Sequence, residues 1–299
     1  MKSVRLILTL LATLPTLAHA AINVFACEPE WGALARELGG DAVTVYTATT
    51  AMQDPHRIEA RPSLIAQMRR ARLAVCTGAE LEVGWLPLLL RESGNADVQP
   101  GRPGYFEASR YVVLLDKPAL IDRSQGDVHA AGNPHIQTDP RNLARVGEAL
   151  AQRLAEIDPD NAATYQARWK AFSARWAAAI SRWQVQAAPV KGMPVAVQHK
   201  SFTYLINWLG LREVATLEPK PGIEPSVGYL AEVAARLQTT PAKAVLRAAY
   251  QNPRASEWLA ERAGIPAVTL PFTVGGAPGT DDLFGLFDVT LADLLKVAR

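Results

Sequence analysis

Net charge is the first thing this sequence lacks. Its 31 Lys and Arg residues nearly balance 29 Asp and Glu, which leaves no basic excess to hold nucleic acid or an anionic membrane surface. Long apolar runs are missing too. The longest, residues 6–17, is about a dozen residues, well short of the roughly 20 that cross a bilayer. Catalytic signatures are equally sparse. There is no HExxH pair for a zinc peptidase. The glycine-rich stretch VGGAPGT at residues 274–280 lacks the Lys of a phosphate-cradling loop and reads as a flexible turn. Histidine is scarce, with five residues in 299.

The short apolar run explains itself by position. Lys2 and Arg5 precede it, and Ala18-His19-Ala20 closes it with small residues around the cleavage point of a secretory signal. Residues 1–20 are expected to be removed, with Ala20 the last to go. Losing Lys2 and Arg5 leaves a mature chain of zero formal charge. No Cys follows the cleavage point, so a lipid-anchored start is not expected. The mature protein is expected to be exported, soluble and monomeric. In such an oxidising compartment, an even number of cysteines usually pairs. Cys27 and Cys76, the only two, each end a short apolar run. If those runs are neighbouring parallel strands, both sulfurs fall on one edge of the sheet and a Cys27–Cys76 disulfide is expected.

Residues 21–138 alternate short apolar runs (INVFAC, AVTVYTAT, LAVCTG and a final YVVLLD) with helical patterns (WGALAREL, SLIAQMRRA, EVGWLPLLLRES). That alternation predicts a parallel sheet wrapped by helices. Residues 139–188 differ. Pro140-Arg141-Asn142 opens one helix, Asp158-Pro159-Asp160 interrupts, and Tyr165, Trp169, Phe172, Trp176, Ile180 and Trp183 then repeat at helical spacing. Some 25 residues of helix span about 37 Å, enough to cross a domain. Alternation resumes over residues 189–299. The expected fold class is α/β: two parallel-sheet lobes joined by one long helix, with a ligand cleft between them where strand ends meet.

The four histidines beyond the leader all sit beside loops or strand ends. His56 follows the second strand, His129 and His135 share the loop GDVHAAGNPHIQTDP, and His199 follows the strand PVAVQ. Imidazole is the commonest metal ligand, and three from separate loops can close three tetrahedral positions. Pro55 and Pro134 stiffen the backbone just before His56 and His135, so less entropy is lost in holding those rings. Asp54 or Glu59 is placed to brace His56, a partner that metal-bound imidazoles usually require. Glu218, Glu224 and Glu257 flank turns or helices; lining the cleft is one reading of them, and a solvated surface role is the stronger expectation.

Three stretches carry a resemblance: DPHRIEARPS (54–63), GNPHIQTDPRN (132–142) and QHKSFTYLINWLGL (198–211). They are similar, in that order, to the histidine motifs of metal-binding solute-binding proteins of ABC importers, the zinc and manganese group. The likeness spans essentially the whole mature chain. It implies a periplasmic carrier with metal ligands His56, His135 and His199, serving a membrane permease driven by a cytoplasmic ATPase. His at the third position resembles zinc-type members, so Zn²⁺ is the expected cargo and Mn²⁺ the lesser one. Thr273 stands where the family often has an aspartate ligand. Asp281, Asp282, His129 or a water then remain to complete the site, although Asp281 and Asp282 also suit the N-terminus of the closing helix. The family's histidine-rich loop is reduced here to His129. An exported zinc hydrolase on the same three histidines is the alternative function, with no clearly placed general base to support it.

Overall fold

Runs of β-branched and small apolar residues form two separate four-stranded sheets, each entirely parallel. The computed structural model describes residues 20–118, 126 and 128–298, so nearly all of the expected signal segment lies outside the described residues. In the first lobe the strands are β1 (Ile22–Ala26), β2 (Val43–Thr47), β3 (Leu73–Cys76) and β4 (Tyr105–Glu107), in the order β2-β1-β3-β4. Helices α1 (Pro29–Gly39), α2 (Pro62–Arg70) and α3 (Leu86–Ser93) link them. The second lobe has β5 (Pro194–Val197), β6 (Arg212–Thr216), β7 (Ala244–Ala248) and β8 (Ala267–Leu270), in the order β6-β5-β7-β8. Its helices are α6 (Thr203–Leu209), α7 (Val227–Thr239), α8 (Arg254–Ala263) and the closing α9 (Leu283–Val297). The lobes thus share one strand order, although no internal repeat is visible in the sequence.

Between the sheets run α4 (Pro140–Ile157) and α5 (Ala162–Gln186). Asp139 caps α4 by accepting from the Arg141 amide, and Pro140 takes the first helical position, where a missing N–H costs nothing. In α5 the aromatic stripe is packing. Tyr165, Phe172, Trp176 and Trp183 are fully buried, and Trp176 and Trp183 pack against Phe284 and Phe287 of α9. Their indole N–H groups donate to Pro140 O (2.8 Å) and Asp288 Oδ1 (2.6 Å), as buried indoles require. One continuous buried cluster runs from β1 and β3 through α1, α4 and α5 to β5, β7 and α9. A core shared in this way resists wide bending between the lobes.

Two elements differ from the sequence expectation. The run YVVLLD is not a strand: residues 108–111 form a 3-10 turn, and Val113 is 76% exposed. The ladder partner of β3 is the shorter Tyr105–Glu107 just before it, where Gly104 permits the approach, since a Cβ there would lie 2.5 Å from Asp97 O. Leu115 instead bonds across to the second lobe through Tyr204 Oη (3.0 Å). The unforeseen strand, β6, reads REVAT and lies at a sheet edge, where few apolar residues are needed.

The cysteines do fall on one edge. β1 and β3 are parallel neighbours, and Cys27 and Cys76 at their carboxyl ends are joined in a disulfide with Cα atoms 4.8 Å apart. Among the described residues no helix is long and apolar enough to cross a membrane.

Candidate metal centre

Loops after β2 and β5, together with the turn that leads into α4, bring His56, His199 and His135 together. Asp54 Oδ1 accepts from both the backbone N (3.0 Å) and Nδ1 (2.7 Å) of His56. Trp85 clamps the same loop by donating to Pro55 O at 2.9 Å. His199 leaves β5, the strand at which sheet order reverses, which is where α/β sheets open a crevice. Its Nδ1 lies 2.7 Å from Glu218 Oε2, and Glu218 follows the neighbouring strand β6. That carboxylate oxygen also accepts from Gly222 N at 2.7 Å. His135 is held through its backbone: Asn133 Oδ1 accepts from His135 N (2.9 Å), and Thr138 Oγ1 donates to its carbonyl (3.0 Å). Asn133 in turn donates to Lys200 O at 2.8 Å, which ties the His135 turn to the His199 loop.

These contacts set the chemistry. A ring whose Nδ1–H donates to a carboxylate presents an unprotonated Nε2, the form that binds metal. Burial, reinforced by charge on His56, His199 and His129, holds the His135 pKa well below the ordinary imidazole range. Asp54 lies below the usual carboxylate range: burial pushes it up, but hydrogen bonding and charge from His56 outweigh that push.

One ligand atom from each of His56, His135 and His199 lies within 4.8 Å of the others. His135 Nε2 and His199 Nε2 are 3.1 Å apart, against about 3.3 Å for two nitrogens on one tetrahedral zinc with bonds near 2.05 Å. Ring centroids are 5.2 Å apart for His56–His135, 5.3 Å for His135–His199 and 5.8 Å for His56–His199. The same tetrahedron predicts about 5.2 Å between rings. His135 and His199 are only 1% and 7% exposed. Three converging imidazoles in a nearly dry site suit a divalent transition metal and few other ligands.

The remaining sequence candidates separate. The His129 ring stands 5.3 Å from that of His56, and His129 lines one cavity with His135 and His199. Asp281 and Asp282 do not join the histidine group. Both are exposed, and Asp282 accepts from Gly285 N at 2.7 Å as the N-cap of α9. For Asp282 the helix end wins because its unpaired amides are nearest and the carboxylate stays solvated there. Thr273 donates to Glu30 Oε2 at 2.5 Å, across the lobes.

Two features escaped the sequence reading. Glu218 is a brace for His199 with a side chain only 14% exposed, not a solvated carboxylate. Its spacing of 19 residues from His199 carries no local signal; only the pairing of β5 with β6 makes the two neighbours. The second is a buried acid cluster. Glu28, Glu30 and Glu82 are each at most 2% exposed. Thr77 Oγ1 donates to Glu28 (3.1 Å), and the amides of Thr77 and Gly78 donate to Glu82. Burial pushes the Glu30 and Glu82 carboxyls up to about 7. Burial and the charges of Glu82 and Glu30 raise Glu28 well above its ordinary range.

Several known proteins share features of this chain. A manganese ABC transporter substrate-binding lipoprotein, scaA of Streptococcus gordonii, is 25% identical over 155 residues, 52% of this chain and 48% of its own length. The zinc-binding lipoprotein AdcA of Streptococcus pneumoniae is 23% identical over 202 residues, 66% of this chain and 39% of its own. The high-affinity zinc uptake system protein ZnuA of Yersinia pestis is 22% identical over 204 residues, 61% of each. The chain therefore spans about half the length of these curated relatives. A crystal structure of ZnuA superposes with a TM-score of 0.75 at 23% identity, covering 92% of this chain and 98% of that one. The Ni²⁺ complex of FpvC from P. aeruginosa gives 0.73 at 21%, covering 93% and 96%. At those identities the likeness is one of fold. Residues 24–297 match the family described as zinc-uptake complex component A, periplasmic, and this chain belongs to that family.

Proposed function

We propose that this protein is a periplasmic metal carrier. It captures a divalent transition metal, foremost Zn²⁺, on His56, His135 and His199, and releases it to the membrane permease of an ABC importer driven by a cytoplasmic ATPase. The observation that carries the reading is the convergence of three imidazoles, two with Nδ1 fixed on buried or half-buried carboxylates. Family membership and the names of the zinc-binding relatives support it. Zinc is favoured over manganese because the converging donors are nitrogens, whereas Mn²⁺ is better served by oxygen. The shared core along α5 favours capture by small movements of the cleft loops over wide lobe closure. Transport is preferred to hydrolysis because Asp54 and Glu218, the carboxylates beside the ligands, are already engaged by histidine Nδ1 and are not poised as general bases.

The test is zinc titration of chelator-stripped protein, wild type against His56→Ala, His135→Ala and His199→Ala. Each substitution should abolish or greatly weaken binding. Unchanged affinity in all three would refute the site, and zinc-dependent ester or amide hydrolysis would favour the enzyme.

A further inference from the structure

The three histidines leave a fourth tetrahedral position, and the backbone around them points to what fills it. Among the described residues, only three that are not glycine adopt the left-handed conformation: Ala79 (φ 49°), Glu80 (φ 66°) and Asp116 (φ 50°). Such a conformation is costly for a residue with a Cβ and persists where the surrounding structure uses it. Two of them, Glu80 and Asp116, border the loop that carries His129. Glu80 Oε2 accepts from Ala130 N at 2.6 Å, one residue beyond His129. Asp116 opens the loop, and its Oδ2 accepts from Thr203 Oγ1 (3.0 Å) in the second lobe. Asn133 N donates to Leu115 O at 2.8 Å and ties the two ends of the loop together. Gly126 (φ 83°) seats its backbone on the second lobe so closely that a Cβ would lie 2.2 Å from Pro221 O. The described residues of the loop are pinned to both lobes, and what they present to the cleft is an imidazole.

We propose that His129 is a metal ligand, the fourth nitrogen of an all-imidazole site, and that Glu80 is the positioning residue that holds its loop against the cleft. This inference rests on the three-histidine reading above. The His56–His129 ring spacing of 5.3 Å already matches one edge of the tetrahedron, about 5.2 Å. His129 lines the same cavity as His135 and His199, and its Nε2 is buried. Of the competing carboxylates, Asp54 is engaged with His56, Glu218 with His199 and Asp282 with the start of α9, while Asp281 is exposed and outside the histidine group. Four nitrogens and no oxygen define the cargo as a borderline or soft divalent ion such as Zn²⁺, Co²⁺ or Ni²⁺, and disfavour Mn²⁺.

The experiment counts imidazoles by X-ray absorption on the full-length mature protein loaded with Zn²⁺. Affinity is measured in parallel by chelator competition. Wild type should show four imidazoles and His129→Ala three, with an affinity loss of at least about tenfold, the lower end of what even an outer-shell partner costs. Glu80→Ala should weaken zinc in the wild-type background and have no further effect in the His129→Ala background. Three imidazoles in both proteins with unchanged affinity would overturn the assignment of His129. An equal Glu80→Ala effect in both backgrounds would overturn the positioning role. If His56→Ala, His135→Ala and His199→Ala also leave affinity unchanged, it is the underlying carrier site that fails.

Discussion

Glu30→Gln should make this protein more resistant to alkali, against the usual expectation for removing a buried hydrogen-bonded carboxylate. Glu30 is 1% exposed; its Oε2 accepts from Thr273 Oγ1, and among the described residues it has no cationic partner and its Oε1 no hydrogen-bond partner. Burial raises its pKa from 4.5 to about 7. The folded protein therefore holds a proton that the unfolded chain releases between those two values. Below pH 4.5 both states are protonated and the residue carries no ionisation penalty. Above pH 7 both are ionised, and the folded state bears the whole cost, an upper bound of about 3 kcal/mol for a shift of this size. Gln keeps an oxygen for Thr273 and cannot ionise. Removing the Glu30 charge also relieves Glu28, whose pKa that charge helps to raise, so the neighbour acts in the same direction. The assay is urea unfolding followed by tryptophan fluorescence at pH 5, 6, 7 and 8, with chelator present so that metal release does not contribute. Wild type should lose stability from pH 5 to pH 8 by up to about 3 kcal/mol more than the variant. Any fixed cost of the buried amide cancels in that difference. Equal pH slopes, within the roughly 10–15% scatter of the extrapolation, would refute the reasoning.

The braces of the metal centre should matter without touching metal: Asp54→Asn and Glu218→Gln are each expected to lower zinc affinity about 10–100-fold, read by chelator competition with circular dichroism unchanged. Replacing Cys27 and Cys76 together by Ala should cost about 4 kcal/mol of unfolding free energy by loop-closure entropy, given a separation of 49 residues; a loss under about 1 kcal/mol would contradict that account. Trp176→Ala should cost about 3–5 kcal/mol through the cavity it leaves. Trp176→Phe should cost nearer 1 kcal/mol, leaving Pro140 O without its indole donor.

Much of the fold could be read from local pattern. The strands that lead to Cys27, Cys76 and His199 are short apolar runs bounded by turns, and the aromatic spacing along residues 165–183 is a helical stripe whatever it packs against. Prolines at positions 55 and 134 and the Asp139-Pro140 cap are local devices as well, and they mark where His56 and His135 are held. Elements whose identity depends on a neighbour were not legible. Tyr105–Glu107 is a strand only because β3 offers it a ladder, and Arg212–Thr216 only because β5 does.

The division between sequence and tertiary structure is clearest at the site. The sequence alone determined that the histidines sit beside loops or strand ends, that the two cysteines end short apolar runs and that the chain has no charge excess, because each follows from short-range periodicity and composition. Only the tertiary structure decided which carboxylates act there. It brought Glu218 to His199, seated Asp282 on a helix end and buried Glu28, Glu30 and Glu82 together. Parallel sheets place side by side residues that lie tens of positions apart, and a carboxylate's role is set by the donors it meets there rather than by the residues next to it in the chain.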